Sequence, residues 1–205
     1  MPVNSTMPIT QIDVLRHGRV LTPHLFCAAS TEPLSTEGWR QLRRATRNYK
    51  PDQILCSPSL RCAQFAQELS SKRAVPLQIE PRIQEMNFGS WVGKSSEAIW
   101  ELDQVGMQQL WSEPLSFTAP DGESMQAFIQ RVQAAWTDFT QTYVGQRLLL
   151  VTHGGVIRVL LAQSLGIGYA QTLRFELGYG QAARFHVYAD GTSSVYGLGL
   201  EQLTC

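Results

Sequence analysis

Short β-like runs alternate with helical repeats along this chain, and that alternation of two periods leaves few folds open to it. The runs fall at residues 12–15, 53–56, 75–79, 148–152, 183–189 and 194–200. Between them apolar residues recur at three and four. In 124–139, Met125, Phe128, Val132, Ala135, Trp136 and Phe139 make one buried stripe. Residues 36–48, 58–70 and 156–165 are further helices, the second opened by Ser57 as N-cap with Pro58 in its first turn. Strands alternating with helices predict an α/β fold, a three-layer α/β/α sandwich with a mainly parallel central sheet. The last two runs are separated by the turn Asp190-Gly191 and predict an antiparallel hairpin at one edge. Residues 93–121 carry less strand signal and predict one or two helices covering the strand ends.

With 205 residues, 43% of them hydrophobic, the chain can bury one substantial core, so a single domain over 1–205 is expected, with residues 1–10 a flexible tail. Lys+Arg and Asp+Glu stand at 17 each, so no global field favours nucleic acid or an anionic membrane. Any phosphate site must be local. No stretch approaches the roughly 20 apolar residues of a spanning helix, and the first eleven residues lack the basic start and apolar centre of a secretory signal. A cytoplasmic protein is expected. Cys27, Cys56, Cys62 and Cys205 show no CxxC spacing and read as free thiols rather than as a metal site.

Two of the strand-like runs end on a histidine. Arg16-His17-Gly18 comes off the first run, and His153, followed by Gly154-Gly155, comes off the run at 148–152. Strand ends are where open α/β sheets place ligands. A neutral imidazole can attack phosphorus, but a phosphate dianion must be held and neutralised, which asks for arginine forks. Arg16 adjoins His17, and Arg61 lies in the first turn of the helix after residues 53–56, where the helix N-terminus also attracts anions. His153 and the N–H of Gly154 can bond phosphoryl oxygens. Arg19 either adds charge to this cage or points outward. The leaving alkoxide needs a proton, and water then needs a base; one carboxylate can serve both steps. Glu85, in Ile83-Gln84-Glu85-Met86-Asn87-Phe88-Gly89, has apolar neighbours and is the candidate. The side chains supply the charge that the phosphate requires, so no metal and no cofactor is expected. His24 and His186 read as structural or solvent-facing. Trp91 and Trp111 could wall a pocket for an aromatic base.

The set VLRHG, PLSTEG, CSPSLRCAQ, IQEMNFGSWVG and LLLVTHGGVIRVLL, in this order, resembles the histidine phosphatase superfamily, which includes the cofactor-dependent phosphoglycerate mutases. PRIQEMNFGSW and GESMQAFIQRV look most like its α-ribazole phosphatase branch, whose members remove the 5′-phosphate from a precursor of the lower ligand of cobalamin. The resemblance implies a phosphoglycerate mutase-like fold. It implies His17 as the phosphorylated nucleophile, Arg16, Arg61 and His153 as phosphate ligands, and Glu85 as proton donor and acceptor. Arg19, Val20 and Pro23 depart from the family's usual Glu or Gln, Thr and Asn after RHG; Phe65 replaces a Thr and Val92 an acidic residue. The leading expectation is a metal-independent phosphomonoesterase acting on α-ribazole 5′-phosphate or another small phosphoester, as a monomer or homodimer. A mutase must hold a second anionic end of its substrate, yet no Lys or Arg occurs between Ser95 and Arg131. An inactive binding protein of the same fold is the third reading.

Overall fold

The computed structural model describes residues 8–26 and 31–204. Apolar residues at nearly every position of the central runs require burial on both faces, and the sheet meets that requirement. Along the chain come β1 (Thr10–Arg16), α1 (Thr36–Ala45), β2 (Gln53–Cys56), α2 (Leu60–Arg73) and β3 (Leu77–Ile79). Then follow α3 (Ser96–Leu102), α4 (Gln104–Ser112), α5 (Met125–Thr142), β4 (Arg147–Thr152), α6 (Gly154–Leu165), α7 (Tyr169–Thr172), β5 (Ala182–Val187) and β6 (Ser193–Leu200). The six strands lie in the order β3-β2-β4-β1-β5-β6. β1 to β4 run parallel, and β5 is antiparallel to both β1 and β6. The fold is the expected α/β class.

Strand periodicity distributes the core. Ile12 and Val14 of β1, Leu55 of β2 and Leu148 and Leu150 of β4 join one cluster with α5 and α6. Leu15, Ile54, Cys56, Leu149 and Val151 join the other, with α1 and α2. Phe65 belongs to this second cluster and meets Trp39 edge-on, 6.2 Å between ring centres, which suits an aromatic at that place. The expected stripe of α5 is buried in full. Its N-cap is Ser124, whose hydroxyl accepts the Ala127 N–H. Among the described residues no helix is long and apolar enough to cross a membrane.

Several expected boundaries move, each for a local reason. Thr10 is the first residue of β1 and is buried, pairing with Val187 and accepting the Gly145 N–H on its hydroxyl. Thr10 is therefore no part of the tail expected over 1–10; residues 1–7 lie outside the described ones. The third run starts at Leu77 rather than Val75. The Val75 N–H closes α2 onto the Ser70 carbonyl, and Pro76 offers only a carbonyl to Ile54. β5 stops at Val187, because the Tyr188 N–H donates to the Thr192 carbonyl and the Gly191 N–H donates to the Tyr188 carbonyl, closing the turn. Ser57 is not a helix cap: Ser59 precedes α2, and the Ser57 hydroxyl is committed to His153. Cys56 and Cys62 are free and buried; Cys27 and Cys205 fall outside the described residues.

Candidate active site

The carboxyl ends of β2, β4 and β1 lie side by side and deliver the polar side chains to one place. Register pairs Arg16 with Thr152, so His17 and His153 follow at adjacent strand ends. The His17 N–H donates to the Thr152 carbonyl at 2.8 Å, and the two imidazoles stand 5.3 Å apart between centres at 60°. Gly18 is required here by close approach: a Cβ on it would lie 2.2 Å from the Gly38 carbonyl oxygen at the start of α1.

The protonation pattern follows from partners. His17 Nδ1 faces the Gly18 carbonyl at 2.9 Å. A carbonyl only accepts, so Nδ1 carries the proton and Nε2 keeps its lone pair. Burial, then the charges of Arg61 and Arg16, pull the His17 pKa down from 6.5 to about 3, which keeps the ring neutral. Arg61 is fully buried and its Nη2 donates to His153 Nδ1 at 3.1 Å. A guanidinium only donates, so the proton of a neutral His153 sits on Nε2, which donates to Ser57 Oγ at 2.8 Å. Burial and then Arg61 hold His153 well below its ordinary pKa.

Arg16 reaches in from the end of β1. Its Nη1 donates to the Leu177 carbonyl and its guanidinium lies 4.3 Å over the Tyr179 ring. That same ring stands 5.6 Å from His17. Arg16 Nε is buried and has no hydrogen-bond partner among the described residues. A buried cationic N–H with this geometry, beside a neutral histidine, is suited to bond an anion.

Glu85 enters from the loop between two short 3₁₀ turns, Pro81–Ile83 and Gly89–Trp91. Its carboxylate accepts the Met86 and Gly155 N–H groups, each at 3.2 Å. A Cβ on Gly155 would lie 2.2 Å from Glu85 Oε1, so the glycine makes room for the carboxylate. Two cavities share Arg16, Phe26, Glu85 and Phe88 as a common wall. The first, about 310 Å³, is reached by His17, His24 and Tyr179. The second, about 330 Å³, is lined by Leu110, Trp111, Met125, Phe128, Tyr169 and Leu173 among others.

The structure thus brings together Arg16, His17, Arg61, Glu85, His153 and Gly154. It does not bring Arg19, which is exposed and whose backbone N–H donates to Gln41 Oε1 and carbonyl accepts from Ser35. His24, expected to be structural or solvent-facing, is exposed and borders the His17 cavity, with a positive φ of 71°. Trp91 is core, packed on Phe26 and Phe117, whereas Trp111 does line the second cavity. His186 stacks on Tyr196 on the hairpin. Sequence reasoning missed Ser57, Tyr179 and Arg158. Arg158 lines the second cavity from α6 and donates to the Thr172 and Phe175 carbonyls. Only the periodicity of α6, which sets Arg158 one turn after Gly154, hinted at it. No group of three or more His, Cys, Asp or Glu side chains among the described residues is placed to hold a metal ion.

The family described as histidine phosphatase superfamily (branch 1) matches residues 12–196. The adenosylcobalamin/α-ribazole phosphatase of Escherichia coli is 28% identical over 82% of this chain and 85% of its own length. A bifunctional protein of Mycobacterium tuberculosis is 27% identical over 91% of this chain, which spans only 52% of that relative. This chain is therefore about half as long as some of the curated proteins it matches. Among solved structures, the α-ribazole phosphatase of Shigella flexneri superposes with a TM-score of 0.83 at 22% identity, over 95% of this chain and 98% of the other. At that identity the likeness speaks for the fold.

Proposed function

The chain belongs to branch 1 of the histidine phosphatase superfamily, and on that premise we propose that it is a metal-independent phosphomonoesterase acting through a phosphohistidine at His17. The observation that carries the proposal is the state of His17: a buried neutral ring, Nδ1 tied to the Gly18 carbonyl, Nε2 left with its lone pair beside Arg16, Arg61 and His153. In the first step His17 Nε2 bonds to phosphorus, the P–O ester bond breaks, and Glu85 gives its proton to the departing alkoxide. In the second step the Glu85 carboxylate takes a proton from water, the water oxygen bonds to phosphorus, and the P–N bond breaks. Inorganic phosphate and neutral His17 result. Arg16 and Arg61 neutralise the equatorial oxygens throughout.

We propose α-ribazole 5′-phosphate as the substrate, in assembly of the cobalamin nucleotide loop within the cytoplasm. Support comes from the second cavity, whose walls are mainly apolar and include Phe26, Phe88, Trp111 and Phe128, a lining suited to an aromatic base. The name of the E. coli relative points the same way. No Lys or Arg between Ser95 and Arg131 offers the second anion site that a mutase needs. The test is phosphate release across small esters in EDTA, with α-ribazole 5′-phosphate, sugar phosphates and phosphoglycerates compared. Turnover in EDTA, fastest on the ribazole ester, is expected. An acid-labile phosphoenzyme should form in the wild type and be absent in His17→Ala. Full turnover by His17→Ala would remove the nucleophile from this scheme, and a faster reaction on phosphoglycerates would move the substrate assignment.

A further inference from the structure

The Glu85 loop is held by a residue that touches none of the cavity. Arg131, on α5, sends Nη1 to the carbonyls of Arg82 and Gln84 at 2.8 and 2.7 Å and Nη2 to that of Glu85 at 3.1 Å. The carbonyl between them, of Ile83, accepts the Thr152 hydroxyl at 2.6 Å, at the end of β4. Four consecutive carbonyls, two in the first 3₁₀ turn and two in the loop after it, are thus fixed from two sides. The guanidinium is itself locked: Nε and Nη2 meet the two Glu123 oxygens at 2.7 and 2.9 Å, and its plane lies 4.8 Å from the Phe128 ring centre. Glu123 also accepts the Asn87 N–H at 3.2 Å, so the same pair grips the loop on both sides of Glu85.

A general acid works only within hydrogen-bond reach of the leaving oxygen, and a misplacement of about 1 Å costs on the order of 10²-fold in rate. The backbone carrying Glu85 has no helix or strand to place it. From these contacts we infer that Arg131, braced by Glu123, is a positioning residue for Glu85, setting the carboxylate where it can protonate the leaving group. The inference rests on the general-acid reading of Glu85 proposed above. It extends that reading to a bidentate ion pair which lies outside both cavities and which a purely structural account would treat as a loop anchor.

The test uses the leaving group as the readout. Phosphorylation of the enzyme is measured in single turnovers with an alkyl ester, ribose 5-phosphate, and an aryl ester, 4-nitrophenyl phosphate, whose leaving group needs little protonation. Arg131→Lys keeps the charge but cannot fork across three carbonyls and a carboxylate. It is expected to slow the alkyl ester by roughly 10- to 100-fold and the aryl ester by less than about 3-fold, with vanadate affinity unchanged because Arg16, Arg61 and His17 are untouched. Placed on Glu85→Gln it should add nothing. Glu123→Gln should shift the alkyl-to-aryl ratio the same way by a smaller factor, and it carries the test if Arg131→Lys does not fold. Equal slowing of both esters, or full additivity with Glu85→Gln, would overturn the positioning role. If Glu85→Gln alone shows no leaving-group selectivity, it is the general-acid reading that fails; if it does and Arg131→Lys does not, only the present inference fails.

Discussion

His17 is held as a neutral ring, and that neutrality has a thermodynamic signature. Its folded pKa of about 3 lies below the ordinary 6.5, through burial first and the Arg61 and Arg16 charges second. Below pH 6.5 the unfolded chain takes up a proton that the folded ring refuses, so stability falls as pH drops from 6.5 toward about 3 and is unaffected above. The full gap corresponds to an upper bound of roughly 5 kcal/mol. Urea unfolding of the phosphate-free protein from pH 8 to 4 should therefore show a smaller acid loss for His17→Asn than for the wild type. Parallel curves would mean that the ring is not held neutral. The residue was legible as a site because Arg-His-Gly follows an apolar run; its tautomer was not, since that depends on which carbonyl the folded chain turns toward Nδ1.

Elements position what residues perform. α6 begins with two glycines that the sequence presents as equivalent, and the fold separates them. A Cβ on Gly154 would make ordinary contact with Arg16, 3.5 Å from Nε, whereas one on Gly155 would strike Glu85 Oε1. Gly155→Ala should keep or slightly raise thermal stability, since alanine favours the helix, while lowering turnover on alkyl esters by on the order of 10²-fold as the carboxylate is displaced. Thermal melts and steady-state rates on one preparation check both halves; an unchanged rate would detach Glu85 from the reaction. Ser57 teaches the same lesson in reverse. Its place before Pro58 matched an N-cap pattern, but burial against His153 outweighed the local preference, and the hydroxyl became the acceptor that fixes the His153 ring.

Across the fold, a buried ion pair joins the parallel and antiparallel parts of the sheet. Asp13 of β1 meets Arg184 of β5 through two bonds of 2.7 and 3.1 Å. Gln11 also donates to Asp13, and Arg184 reaches the Thr204 carbonyl, tying down the C-terminal segment. Removing one partner leaves the other buried and uncompensated, so Asp13→Ala should cost about 3–5 kcal/mol. The melting midpoint should fall by on the order of 10 °C, with vanadate affinity unchanged because neither partner lines either cavity. Calorimetry with vanadate titration tests this, and a midpoint within about 2 °C of the wild type would show that the pair contributes no net stability.

What the sequence determined is what periodicity, turn chemistry and a motif can carry locally: the six strands, the amphipathic stripe of α5, the Asp190-Gly191 turn, and the set of Arg16, His17, Arg61, Glu85 and His153. Hydrophobic pattern reports which faces must be buried, so the class of fold follows from it. Only the tertiary structure decided partners far apart in the chain: Asp13 with Arg184, Arg61 with His153, Arg131 with the carbonyls around Glu85. In a run read as Ile12-Asp13-Val14-Leu15, nothing local distinguishes a buried aspartate with a partner 171 residues away from an interruption of the strand. Such pairings exist because burial forbids unpaired polar groups, and burial is a property of the folded whole.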